Sequence, residues 1–554
     1  MGKKININHY IIMTKKKTLF DAVKEFDNDT FTTNGRAANK STLSACLDFF
    51  GKAASYRKTP KEVAELFKAA LLEDKETAVR ALFYFRDIRG TGVGMGERDI
   101  FRVCLAQLAS IDPDLTIKLL PLVPFYGRWD DMFGYTADGV SVFKSGTAEV
   151  RNAIAALVGA QLTQDLDNVT NKTPEKVSLL AKWLPNEKSV SKDEHWMATQ
   201  LVNALVRRDP AVGSSSRLFS QRAAIYRRMR TLLNKTIDLL ETRMTNKDYT
   251  FDYSKLPGKA ALTHVAAFLK HDKERYEAYH EKLREALESG SKEVKFNAST
   301  LYPYEIIERV NNDQLSYNCS TPKLSDLEVD NMWKSLPNYF SDKLNGKNIL
   351  VVGDTSGSML SYNARPMTVA CSLSMYTASH NTGIFKDKFI LFSDKPVFVK
   401  LDSTWPVRQQ VDTYIGQGFM CNNTNIDKVF KLILHAAMAA KLPQSEMPEM
   451  VIIVSDMQFD MSMGYTDERQ VDTVRNDFIE AGYEVPKLVY WNVACNDYGN
   501  VPVTVNDKGA YLVNGCKPGL LELVLDGADP VSFMQKVLHH KRYDKLSAAF
   551  AKEK

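Results

Sequence analysis

Two carboxylates and three hydroxyls, drawn from three separate stretches, are the side chains of this sequence best suited to act together. Asp354-Thr-Ser356-Gly-Ser358 packs one carboxylate and two hydroxyls into five residues. Hard oxygen ligands at that density suit a divalent cation of the magnesium type. A serine-rich turn that holds no metal is the plainer alternative. Asp456 closes Ile452-Ile-Val-Ser-Asp456, and Thr424 sits in Asn423-Thr-Asn-Ile426. No Walker motif, Ser-His-Asp set or histidine-rich cluster accompanies them. An aspartyl-phosphate nucleophile at Asp354 would want a second aspartate where Ser356 stands. The chemistry expected is therefore binding, and the protein is expected not to be an enzyme.

Positioning these residues requires strands that end at one edge. The run Ile349 to Val352 is continuously apolar, as in a strand buried on both faces. Strands are predicted over 348–353, 388–393, 397–400, 449–455, 487–493 and 510–513, with helices over 364–379, 425–441, 467–481 and 518–525. Only Asp394-Lys-Pro396 joins the second and third strands, which makes them an antiparallel hairpin. Helical crossovers make the other neighbours parallel, giving a doubly wound, Rossmann-like α/β sheet. If the chain winds outward through the hairpin and then returns, the first strand lies beside the fourth. Asp354 and Asp456 then meet where the strand order reverses, the place where open α/β sheets bind ligands.

The first half reads as helix after helix. Thr59-Pro60 is expected to open one, with threonine as cap, and Asp112-Pro113 another. Further helices are predicted over 147–167, 174–183, 194–207, 217–243, 259–270 and 273–288, and one from Asp330 to Tyr339. This succession suits a solenoid or ring-like helical array, although no fixed-period repeat is visible. Gly90 to Gly96 is glycine-rich but follows no strand and lacks a Gly-Lys-Ser/Thr ending, so it reads as a helix connection. Asp130 and Asp131, after Tyr126-Gly-Arg128-Trp129, read as carboxylates at a helix N-terminus with Trp129 packed inward.

One helical stretch carries a nucleic-acid signal. No acid falls between Pro210 and Ile237, while Arg217, Arg222, Arg227, Arg228, Arg230 and Lys235 do, with Phe219 and Tyr226 interleaved. Arginines at this density suit phosphate contacts. The alternative is a helix whose basic face pairs with acids on its neighbours.

Composition sets the outer bounds. The 554 residues exceed one ordinary domain, and 44% hydrophobic with 25% charged residues is globular composition. A net charge of +5 makes no global case for nucleic acid. Seven scattered cysteines without a C-x-x-C pair point to a reducing compartment, hence the cytoplasm. No run of 18 apolar residues spans a membrane. The expected organisation is a tail over 1–39, the helical domain over 40–310, a linker over 311–345, the α/β domain over 346–526 and a helical tail over 527–554.

Asp354-x-Ser356-x-Ser358, then Thr424, then Asp456 resemble, in order, the metal-ion-dependent adhesion site of von Willebrand factor A domains. The resemblance implies that Ser356, Ser358 and Thr424 coordinate Mg²⁺ directly or nearly so. It also implies that Asp354 and Asp456 hold the ion directly or through water, with an open position for an acidic group from a protein partner. Cys421-Asn-Asn423 departs from the glycines usual there. The whole layout is similar to Ro autoantigen (TROVE-type) proteins and their relatives in bacteria, phages and plants. Tyr84-Phe-Arg-Asp-Ile-Arg-Gly90 with Gly96-Glu-Arg98, Tyr126 to Asp131, Lys182-Trp-Leu-Pro185 and Leu301-Tyr-Pro-Tyr-Glu305 carry that likeness. It implies HEAT-like repeats that bind a structured small RNA, a role open to the basic residues above. The expectation is a non-enzymatic RNA-binding protein whose A domain recruits partners. The alternative is a metal-dependent interaction scaffold or virion-associated protein without RNA.

Overall fold

The computed structural model describes residues 23, 27–88, 94–206, 216–310, 312, 315, 322–340, 346–418, 424–460, 469–494, 499–516 and 529–551. Six strands make the second half: β3 (Ile349–Asp354), β4 (Lys388–Phe392), β5 (Val397–Lys400), β6 (Met450–Ser455), β7 (Lys487–Asn492) and β8 (Ala510–Asn514). Their order is β5-β4-β3-β6-β7-β8, with β5 antiparallel and the rest parallel. All six predicted strands are present within two residues of the expected bounds, and the first does lie beside the fourth. The continuous apolar runs explain why: β3 and β6 are buried at every position, so neither face needed polar alternation.

Alternate side chains feed two cores. Leu350, Val352, Val451 and Ile453 pack with α14 (Asp427–Ala440) and α15 (Gln470–Glu480) on one face. Ile349, Val351 and Ile452 pack on the other with α12 (Ser361–His380) and α13 (Val407–Gly418). Helix α13 was not expected; it buries Val407, Val411, Tyr414 and Ile415, an i, i+4, i+7, i+8 face. The predicted helix over 518–525 and residues Cys421 to Asn423 lie outside the described residues.

The first half is helical: α1 (Ala45–Lys52), α2 (Val63–Glu73), α3 (Lys75–Arg86), α4 (Asp99–Ile111), α5 (Ala148–Thr170), α6 (Lys192–Val206), α7 (Ser216–Thr236), α8 (Gly258–His271), α9 (Lys273–Ser289), α10 (Pro303–Ile307) and α11 (Asp326–Lys334), with shorter turns between. Asp112 caps the helix that Pro113 opens, accepting from Leu115 N at 3.1 Å. Thr59 does not cap its helix: residues 60–62 form turns, and α2 begins at Val63. The Thr59 hydroxyl instead donates to Glu62 Oε2 at 3.1 Å, which spends it inside that turn. The single helix expected over 217–243 is broken after Thr236, where Asp238 takes a positive φ of 50° and a short helix restarts at Leu240. Among the described residues no helix is long and apolar enough to cross a membrane.

The two ends of the chain cross over. Residues 27–39, expected as tail, form the hairpin β1 (Asp29–Phe31) and β2 (Ala37–Asn39), which bridges to Asp460 and Val501 of the α/β half. Helix α1 lies on β8 so closely that a Cβ on Gly51 would come within 2.3 Å of the Leu512 side chain. Helix α16 (Pro530–Leu538) returns the other way, its Phe533 ring against Phe50 and Tyr511. Beyond it Arg542 pairs with both Asp87 oxygens. Helix α11 ties the halves in the middle, Asp330 accepting from Val407 N at 2.8 Å. One contiguous apolar cluster therefore runs from Cys46 to Leu546.

Candidate functional site

Strand register sets the site. In β3 and β6, Gly353 pairs with Val454, which brings Asp354 and Ser455 to adjacent strand ends. Asp354 is fully buried, and Asp456, Ser356 and Thr424 are buried with it. Asp354 Oδ1 accepts from Ser356 N at 2.8 Å, and Oδ2 accepts from the Ser455 hydroxyl at 2.5 Å. The Ser356 and Ser358 hydroxyls stand 3.1 Å apart. Asp456 Oδ1 accepts from Gln458 N at 3.3 Å, while Oδ2 is buried without a hydrogen-bond partner.

Thr424 reaches this edge through its neighbours. Asn425 N donates to Ser393 O at the end of β4, and Thr355 donates to Phe392 O beside it. Thr424 O accepts from Asp460 N at 2.9 Å, joining the loop after β6 to the loop before α14. The five residues singled out by sequence thus come from three loops at one edge of the sheet, where the strand order reverses.

Burial raises the Asp354 pKa, and repulsion from Asp456 raises it further; hydrogen bonds from Ser455 and Ser356 oppose this. Burial raises Asp456 too, against hydrogen bonds from Ser358 and Gln458. Among the described residues no lysine, arginine or histidine pairs with either carboxylate. Backbone strain flanks both. Tyr362, Asn363 and Ala364 hold φ of 52°, 61° and 57°, and Met457 holds 65°. Left-handed conformations in non-glycine residues persist where the surroundings over-determine them, commonly at binding sites.

Two buried like charges, one orphaned oxygen and nearby hydroxyls are a donor set that a hard divalent cation fits. Among the described residues no three His, Cys, Asp or Glu side chains gather to hold a metal. A cation held here would therefore rest on two carboxylates completed by hydroxyls. Sequence reasoning had not singled out Ser455, although its place before Asp456 on a strand parallel to β3 pointed to it. The helical half reaches the rim: Lys58 lies 5.2 Å from the Tyr362 ring, and Arg365 pairs with Glu308 at 3.0 Å.

The basic residues of α7 divide. Arg227 pairs with buried Glu187 at 2.8 Å, and Arg230 lies 3.9 Å from the same carboxylate and 5.8 Å from the Tyr226 ring. Arg222 is half-buried, while Arg228 and Lys235 are exposed. The Arg217 side chain lies outside the described residues. Asp131 does stand at a helix N-terminus, in the short 3-10 turn Trp129–Asp131, where it accepts from Arg128 N at 2.8 Å. It is also fully buried and bonded to Arg86 at 2.6 Å and Arg102 at 3.2 Å, with Asp130 on Arg102 at 2.7 Å. Residues 89–93 lie outside the described residues. Beside them, a Cβ on Gly94 would sit 2.3 Å from the Asp87 carbonyl, which is why the close approach takes glycine.

The helical half matches the family model described as domain of unknown function DUF2828, over residues 32–124 and 148–343. The chain belongs to the DUF2828 family. In this DUF2828 protein, residues 348–553 match a second domain of unknown function, DUF7788. An uncharacterised protein of Acanthamoeba polyphaga mimivirus is 28% identical over 536 residues, covering 92% of this chain and 87% of that protein. The DUF2828 match begins at residue 32, inside the hairpin that crosses to the α/β half.

Proposed function

We propose that the α/β half is a von Willebrand factor A-like module that binds a divalent cation, Mg²⁺ foremost, and through it an acidic group of a protein partner. The supporting observation is the buried pair Asp354 and Asp456, ending neighbouring strands with no cationic side chain among the described residues to balance them. Asp354, Ser356, Ser358, Thr424 and Asp456 would hold the ion, which supplies a Lewis-acid position for a carboxylate oxygen. This chain's residues bind and orient: Ser455 and Ser356 fix Asp354, and burial of the pair excludes water. No histidine or lysine stands against either carboxylate among the described residues to act as a general base. That favours gripping a ligand over catalysis. Titration of the full chain with Mg²⁺ or Mn²⁺ by calorimetry tests this: the wild type binds one ion and Asp354→Asn binds none. Equal heats from both proteins would sink it.

A second reading concerns α7, where Arg228 and Lys235 face solvent in a stretch without acids. The Ro-like layout supports contact with a structured small RNA here, outside the Glu187 pairing of Arg227 and Arg230. Binding should then weaken steeply with salt, because phosphate contacts release counterions.

A further inference from the structure

The hairpin turn Thr32 to Arg36 touches both loops that bring the site together, from 425 residues away in sequence. Gln458, two residues past Asp456, accepts from Thr33 N at 2.9 Å and the Thr33 hydroxyl at 2.8 Å. Its carbonyl accepts from Asn34 Nδ2 at 2.8 Å, and the Phe459 carbonyl accepts from the Thr32 hydroxyl at 2.6 Å. Gln458 N in turn donates to Asp456 Oδ1. The second branch runs through Arg36, which is buried and donates to Asp427 at 2.5 Å. Asp427 opens α14 three residues after Thr424. Gly35 pairs with Asp460, whose N–H holds the Thr424 carbonyl.

We propose that Thr33, Asn34 and Arg36 are positioning residues for the cation site. In this role the hairpin of the helical half holds the Asp456 and Thr424 loops at binding distance. This rests on the metal reading above and deepens it. The physical reason is that neighbours of metal ligands set their orientation and tune affinity. The loop after β6 must also sustain the left-handed Met457, which needs outside support. One Asp456 oxygen is fixed by this support while the other is left open. The α/β half is thus incomplete as a binding module without residues from the other end of the chain.

The test uses the full chain with Mn²⁺ as probe. Thr33 and Asn34 are exposed, so the double variant Thr33→Val/Asn34→Ala leaves the core intact. It should bind Mn²⁺ about tenfold more weakly, with a changed Mn²⁺ electron-paramagnetic spectrum and an unaltered metal-free melting temperature. Thr33→Ser, which keeps the hydroxyl, should bind as the wild type does. Wild-type affinity in the double variant overturns the positioning role while leaving the metal site standing. A fall in metal-free melting temperature that accounts for the whole loss overturns it too, since the turn would then only hold the fold. Failure of the wild type itself to bind Mn²⁺ overturns the metal reading, and this inference with it.

Discussion

Two buried clusters of charge, one in each half, are built on opposite plans. In the helical half Asp130 and Asp131 meet Arg86 and Arg102, two negatives against two positives, with Asp130 Oδ1 alone left without a hydrogen-bond partner. In the α/β half, among the described residues, Asp354 and Asp456 meet hydroxyls and amides only. Both are paired aspartates, yet among the described residues only one pair is neutralised by cationic side chains. A balanced buried network needs nothing from outside, whereas an unbalanced one is a demand for a cation or a proton.

The comparison breaks most visibly at the balanced cluster. Asp131→Asn should cost about 3–5 kcal/mol in a urea titration, because it strands buried Arg86 and leaves Arg102 with Asp130 as its one carboxylate partner among the described residues. Magnesium should not restore that loss. Next comes the unbalanced cluster. Saturating Mg²⁺, near one hundred times its dissociation constant, should add about 2.7 kcal/mol to wild-type stability. It should add nothing to Asp354→Asn, whose metal-free form gains from lost repulsion. A magnesium-insensitive wild type would remove the contrast between the clusters.

Acidity sharpens the contrast further. Asp354 is raised by burial and by Asp456, so the folded state holds its proton more tightly than the unfolded chain. Metal-free stability from this group is full below about 4, the unfolded value, and is lost as pH rises through the raised value. Mg²⁺ favours the charged form and should flatten that decline. His280 behaves in the reverse sense. Burial lowers it to about 4, with Glu328 opposing, so its contribution is present above about 6.5 and lost as pH falls through about 4. Melting curves of Asp354→Asn and His280→Gln across this range should each lose one limb. The smallest effect is at the surface. Arg228→Glu with Lys235→Glu should leave melting unchanged and shrink the salt slope of RNA binding by about one unit per residue. An unchanged slope would return α7 to a purely structural role.

Much of the α/β half was legible because its signals are local. Strands buried on both faces are uninterrupted apolar runs, and the short link Asp394-Lys-Pro396 dictates the hairpin. The site followed from strand order, since adjacent parallel strands put Asp354 and Asp456 at one edge. What escaped was set by distant partners. Nothing near Arg227 in sequence announces Glu187, and nothing near Asp131 announces Arg86. The crossing hairpin did leave a trace in Asn34-Gly35, a turn dipeptide between two short apolar-and-threonine stretches. Strands of three residues are too brief for periodicity to register. Helix α13 was missed because Val407, Val411, Tyr414 and Ile415 are diluted by polar residues on its other face.

The exchange of ends bears on how the chain is made. The hairpin emerges from the ribosome long before the β6 loop it grips, and Asp87 waits for Arg542, 455 residues later. Contacts at that separation are slow to form, and a half-made chain leaves apolar faces such as that of α1 without β8. The contacts of Asp87 and of α1 in the helical half can therefore close only after Arg542 and α16 have been made. Nascent chains stalled before α16 should be readily cut by protease across α1 and α3, whereas the finished protein should resist.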